Sequence, residues 1–127
     1  MPLHQIAVIG GTGPQGRGLA FRFARGGHTV TIGSRDPQRA ASAAAELSQL
    51  AAAPITGDGN LAAAERADLV LLAIPFEGHD EMVAALADVT VGKIVISCVN
   101  PLGFDKRGAY GLDVQGGSAA ERAAALL

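Results

Sequence analysis

Short apolar runs recur along the chain, separated by polar or alanine-rich stretches. Ile6-Ala7-Val8-Ile9, Val30-Thr31-Ile32, Pro54-Ile55-Thr56, Leu69-Val70-Leu71-Leu72-Ala73-Ile74 and Ile94-Val95-Ile96 are rich in branched side chains and mostly lack polar alternation. Such runs suit strands buried on both faces, as in a parallel sheet. Between them the period changes. Leu19, Ala20, Phe23 and Ala24 fall at helical spacing and Gly26-Gly27 offers a stop. Asp36 before Pro37 is an N-cap and first-turn pair, and the alanine-rich run to Leu50 predicts a second helix that Pro54 ends. Asn60 is placed to cap a short helix through Arg66, and Met82, Val83 and Leu86 give an apolar stripe to a helix from His79 to Asp88.

Alternating strands and helices mean βαβ units with right-handed crossovers. The expected fold is therefore α/β: one domain over residues 1–127, with a doubly wound, mainly parallel sheet of Rossmann type. Residues 99–117, "VNPLGFDKRGAYGLDVQGG", read as a structureless loop, longer than a compact domain carries without a use for it. Ser118 and Glu121 then form a capping-box pair, so a last helix is expected to begin there. A crossover helix normally leads to a further strand. The sixth strand of a doubly wound sheet is absent from the sequence, and the chain reads as the N-terminal part of a larger protein.

Composition changes this picture little. With 49% hydrophobic and 17% charged residues in 127, the chain is able to build one core. A formal net charge of -2 lends no basic footprint for nucleic acid or an anionic membrane. No apolar run approaches a membrane span, and the single cysteine, Cys98, fits a soluble protein of the reducing cytoplasm. Cys98 itself reads as a small hydrophobe more readily than as a nucleophile. His4, His28 and His79 are scattered without ligand spacing, so no metal site is expected.

The chemistry concentrates between the first two strands. Gly11-Thr12-Gly13-Pro14-Gln15-Gly16 matches G-x-G-x-x-G at the junction of the first strand and first helix. Its glycines permit a tight turn, close approach to a pyrophosphate and close helix–strand packing, while the helix N-terminus offers amides and positive dipole. The same glycines would also serve a plain structural turn. The second strand should end in a carboxylate that binds the adenosine ribose hydroxyls, but here it ends in Gly33-Ser34-Arg35. Gly33 is expected to leave room for a 2′-phosphate, Ser34 to offer a hydroxyl, and Arg35 and Arg39 to offer forked cationic donors. That reading favours NADP over NAD. The alternative has Arg35 and Arg39 in solvated pairs with Asp36 or Glu46, and Asp36 is either a helix cap or a displaced ribose acid.

Ile74-Pro75-Phe76 and Val99-Asn100 follow the fourth and fifth strands, at the carboxyl edge where open α/β sheets bind ligands. They either flank a nicotinamide or merely end strands and order turns. No nucleophile elbow, paired carboxylates or His-Asp set appears, so in any enzyme built on this chain the cofactor would carry the chemistry.

Taken together, "IAVIGGTGPQGRGLAFRFARGGHTVTIGSRDPQRA", "LLAIPFEGH" and "CVNPLGFDKRGAYGLDVQGGSAAERAA" resemble the NADPH-dependent coenzyme F420 reductases, or F420:NADP oxidoreductases, from Gln5 onward. The resemblance implies an N-terminal Rossmann domain for NADP(H), a smaller C-terminal domain that helps hold the deazaflavin, and direct hydride transfer between nicotinamide and deazaflavin. It also implies that Thr12, Gly13, Pro14 and Gln15 wrap the pyrophosphate, that Ser34, Arg35 and Arg39 hold the 2′-phosphate, and that Ile74, Pro75 and Val99 lie near the nicotinamide. The family's C-terminal portion has no counterpart in the sequence. That departure leaves three readings: the NADP half of such a reductase, an NADP(H) module without turnover, or the Rossmann half of another NADPH-dependent reductase. Apolar surface at an uncovered sheet edge would favour a homodimer.

Overall fold

A computed structural model describes residues 2–127. Five parallel strands form one sheet in the order β3-β2-β1-β4-β5, comprising β1 (Gln5–Ile9), β2 (Thr29–Ser34), β3 (Ile55–Gly59), β4 (Leu69–Leu72) and β5 (Ile94–Ser97). The helices are α1 (Pro14–Arg25), α2 (Pro37–Ala51), α3 (Asn60–Arg66), α4 (His79–Ala85) and α5 (Ala119–Leu126). Each apolar run of the sequence became a strand; β1, β2 and β4, covered above and below, bury nearly every side chain, whereas the expected two-sided burial fails in the edge strand β5, where Ile94 and Ile96 are exposed. In β1, Ile6 to Ile9 are all buried.

The order reverses at β1, and the two sheet faces carry separate cores. On one face Val8, Val30, Ile32 and Leu71 pack against Ala20 and Ala24 of α1 and Ala40, Ala44 and Leu47 of α2. On the other, Ala7, Ile9, Val70 and Leu72 pack with Ala63 of α3, Val83 of α4 and Ala123 of α5. The alanines of α2 let the helix come very close to the sheet. At Gly57 of β3 a side chain would run into the Ala40 carbonyl, so helix and strand touch backbone to backbone there.

Three local expectations needed correction. Asn60 is the first residue of α3 and the cap position falls to Gly59, so the Asn60 side chain is free for another partner. Helix α4 ends at Ala85 and not at Asp88, because the Thr90 hydroxyl donates to the Leu86 carbonyl at 3.0 Å and closes the chain into a turn. Residues 99–117 are not structureless. They contain an antiparallel hairpin of β6 (Leu102–Asp105) and β7 (Gly108–Gly111), in which the Tyr110 ring lies across Gly103 and Asp105 Oδ1 accepts the Arg107 amide at 2.7 Å. The capping box of α5 formed as expected: Glu121 N–H donates to Ser118 Oγ at 3.1 Å and Ser118 N–H to Glu121 Oε2 at 2.8 Å.

Candidate functional site

The loop between β1 and α1 is anchored from behind. Gly11 N–H donates to the Gly33 carbonyl at 3.0 Å, tying the loop to the end of β2. Gly10 N–H donates to Asn60 Oδ1 at 3.2 Å, tying it to α3. A Cβ on Gly16 would sit 2.6 Å from Gly11 Cα, and one on Gly11 would sit 2.7 Å from the Val8 carbonyl, so neither position admits a larger residue. Gly13 differs. Its nearest neighbour would lie 4.0 Å away, so the chain itself has no need of a glycine there. The bare front of the loop faces outward, where a bound group would approach.

Gly13 is also the N-cap of α1 and brings no side chain to cap it, while Pro14 opens the helix. The first-turn amides of a helix have no intrahelical acceptors, and they carry the positive end of the dipole. Pro14 and Gln15 are exposed and Thr12 half-buried. This end is suited to an anion.

Beside it lies an open groove of about 420 Å³ between the loop and α2, walled by Thr12 and Arg17 on one side and by Asp36, Gln38, Arg39, Ser42 and Glu46 on the other. Ser34 ends β2, is buried, and its Oγ accepts the Asp36 amide at 3.2 Å. The Ser34 hydroxyl proton remains free to donate. Asp36 Oδ1 accepts the Gln38 amide at 2.9 Å, which settles its duty as the cap of α2. Arg39, the third residue of α2, stands on the groove wall, whereas Arg35 is exposed and lies off it. Among the described residues neither arginine enters an ion pair with Asp36 or Glu46. Glu46 is held instead by Arg17, Nη2 to Oε2 at 2.8 Å.

Gly33 has another purpose than the one expected of it. A Cβ there would lie 2.7 Å from Asn60 Oδ1, so the missing side chain makes room for the asparagine. Asn60, which holds the loop, and Arg17 and Glu46, which line the groove, have places at this candidate site that sequence reasoning did not give them. Asn60 sits where a helix cap is expected, and the other two come together only when α1 packs on α2.

The carboxyl edge brings the remaining candidates together. Ile74 and Phe76 are half-buried against the second core, Val99 is buried in it, and Pro75 and Asn100 are exposed beside them. The Asn100 side chain makes no hydrogen bond to its own turn among the described residues. Behind this edge His79 is fully buried, its Nδ1 lying 3.0 Å from Asp80 Oδ1. Asp80 Oδ2 in turn accepts Arg122 Nε at 3.0 Å and Nη2 at 2.7 Å. The Arg122 hydrogen bonds, and then that of His79, hold the Asp80 carboxyl down to about 2. Burial pushes the half-buried Cys98 thiol up, away from the thiolate a nucleophile needs.

Residues 5–101 match the family described as NADP oxidoreductase, coenzyme F420-dependent. The chain belongs to this family. It is 41% identical over 129 aligned residues to the F420-dependent NADP reductase of Methanothermobacter thermautotrophicus, covering 97% of this chain and 55% of that one. It is 38% identical to the F420-dependent NADP reductase of Methanocaldococcus jannaschii, covering 77% and 46%. The chain thus spans about half the length of these curated family members. Among solved structures, the lactate dehydrogenase of Eimeria maxima in a complex with NADH and oxamate superposes with a TM-score of 0.65 at 16% identity, over 76% of this chain and 36% of that one. A diketoreductase superposes at 0.66 and 22%, over 80% and 44%. These two likenesses establish the fold of this member of the F420-dependent family as that of the dehydrogenases.

Proposed function

We propose that this chain is the NADP(H)-binding part of an oxidoreductase that passes hydride between NADPH and coenzyme F420. The observation that carries the proposal is the end of β2. A buried Ser34 keeps a free hydroxyl, Arg39 stands on the adjoining groove, and the two carboxylates of that groove are engaged, Asp36 in capping α2 and Glu46 with Arg17. With no acid free to bind ribose hydroxyls or to repel a 2′-phosphate, the donor set suits NADP better than NAD.

In this reading the outward face of Gly11, Thr12, Gly13, Pro14, Gln15 and Gly16 receives the pyrophosphate on the amides of α1. Ser34 and Arg39 hold the 2′-phosphate, with Arg35 closing over it from solvent. Ile74, Pro75, Val99 and Asn100 bound the nicotinamide, whose reduced ring supplies a hydride when bound. The chain's own part is to orient that ring and exclude water, because the hydride step between two rings asks for position and for no acid or base, the proton that the reduced deazaflavin also takes up coming from solvent. The second ring is that of the deazaflavin. Its partners are otherwise small molecules of the cytoplasm, and a homodimer is the proposed assembly.

Titrating the protein with NADPH and NADH by nicotinamide fluorescence tests the nucleotide assignment. NADPH is expected to bind more tightly, and Arg39→Ala to weaken NADPH by about 1–3 kcal/mol while leaving NADH almost unchanged, the scale of a lost charge-assisted contact. Equal losses for both nucleotides would remove Arg39 from the phosphate site. Turnover is read by mixing NADPH with oxidised F420 and following nicotinamide absorbance. Tight NADPH binding without turnover would leave a binding module and overturn the reductase reading for this chain.

A further inference from the structure

We infer that Arg17 is an additional determinant of 2′-phosphate recognition, held by Glu46 while the groove is empty of nucleotide and transferred to the phosphate on binding. This rests on the NADP(H) reading of the groove and makes Glu46 the residue that tunes how strongly NADPH is preferred to NADH.

The geometry points this way for three reasons. Arg17 directly follows the last glycine of the loop, and its side chain lies in the same groove as Thr12 and Arg39. Its contact with Glu46 is a single bond, Nη2 to Oε2 at 2.8 Å, and a guanidinium has five N–H donors in a fixed fork. The arginine side chain is 32% exposed and the glutamate 65%, so the pair stands in solvent, where such pairs contribute little and are easily exchanged. A phosphate monoester carries more charge than a carboxylate and three acceptor oxygens, and so competes well for the fork.

Charge balance sharpens the argument. The groove walls hold two cations, Arg17 and Arg39, and two anions, Asp36 and Glu46. Asp36 is fixed by its bond to the Gln38 amide, but Glu46 is fixed only by Arg17. A phosphate that draws on the charge of Arg17 therefore competes with Glu46 for that one cation.

The test measures NADPH and NADH affinities at low salt for Glu46→Gln, Arg17→Met and the double variant, with thermal midpoints alongside. Glu46→Gln is expected to tighten NADPH severalfold and Arg17→Met to weaken it about tenfold, with NADH unmoved in both. The double variant should match Arg17→Met alone, because Glu46 acts through Arg17. If both substitutions lower the thermal midpoint but leave the NADPH-to-NADH ratio unchanged, the pair is only a strut between α1 and α2 and the inference is overturned. If Glu46→Gln still tightens NADPH in the Arg17→Met background, Glu46 acts by simple repulsion and the transfer is overturned. A starting protein without any preference for NADPH would instead defeat the underlying reading of the groove.

Discussion

Asn60 is a buried carboxamide whose oxygen serves as acceptor for a loop amide and as the surface against which Gly33 packs. Replacing it removes both at once. Asn60→Ala leaves the Gly10 N–H without its acceptor and opens a void behind β2, and should cost about 1–3 kcal/mol in urea unfolding. An unchanged urea midpoint would mean that the loop holds its shape without α3. The same region marks the limit of what local sequence rules reveal. The glycine loop and the unusual end of β2 were legible because their signals are contiguous. The duties of Asn60 and Gly33 were not, since they arise from a contact between residues 27 positions apart, and each residue also satisfied a local rule that pointed elsewhere.

At the scale of elements, α4 and α5 are joined on the second face by Arg122 bridging to Asp80, which also steadies the ring nitrogen of buried His79. The bridge is sensitive to acid in a defined direction. Asp80 keeps its charge down to about 2 in the folded chain against an ordinary value of 3.8, so its contribution is complete above about pH 4 and is lost as the pH falls through 2. Thermal melts of the parent and Asp80→Asn should therefore differ by a constant amount near neutrality and converge towards pH 2. A difference that persists at pH 2 would assign the effect of the substitution to packing and not to charge. Elements with strong periodicity, such as β1, β4 and α2, lie where the sequence places them. The β6–β7 hairpin escaped because glycine occupies three of its eight strand positions and its apolar residues show no sustained alternation. Its pairing rests on Tyr110 covering Gly103, a contact between strands and not a pattern along one.

The whole molecule is unevenly covered. In β5, Ile94 and Ile96 pair in register with Leu69 and Leu71, and so point to the face on which α1 and α2 pack. On that face the helices lie over β1, β2 and β3 and leave β5 uncovered, so Ile94 and Ile96 stay 59% and 43% exposed. Apolar surface on an edge strand favours association. Sedimentation at rising concentration is expected to approach a dimer for the parent chain and to remain monomeric for an Ile94→Lys, Ile96→Lys variant; a parent that stays monomeric throughout would dismiss the dimer. The tie between Gly33 and Asn60 has a consequence in the language of descent. Position 33 is locked, because almost any mutation there disturbs the loop, whereas positions 35 and 39 touch nothing the fold depends on and are free to drift. On the proposed reading of the groove, a lineage carrying this domain could change its choice of cofactor in a few mutational steps without ever passing through a broken ancestor.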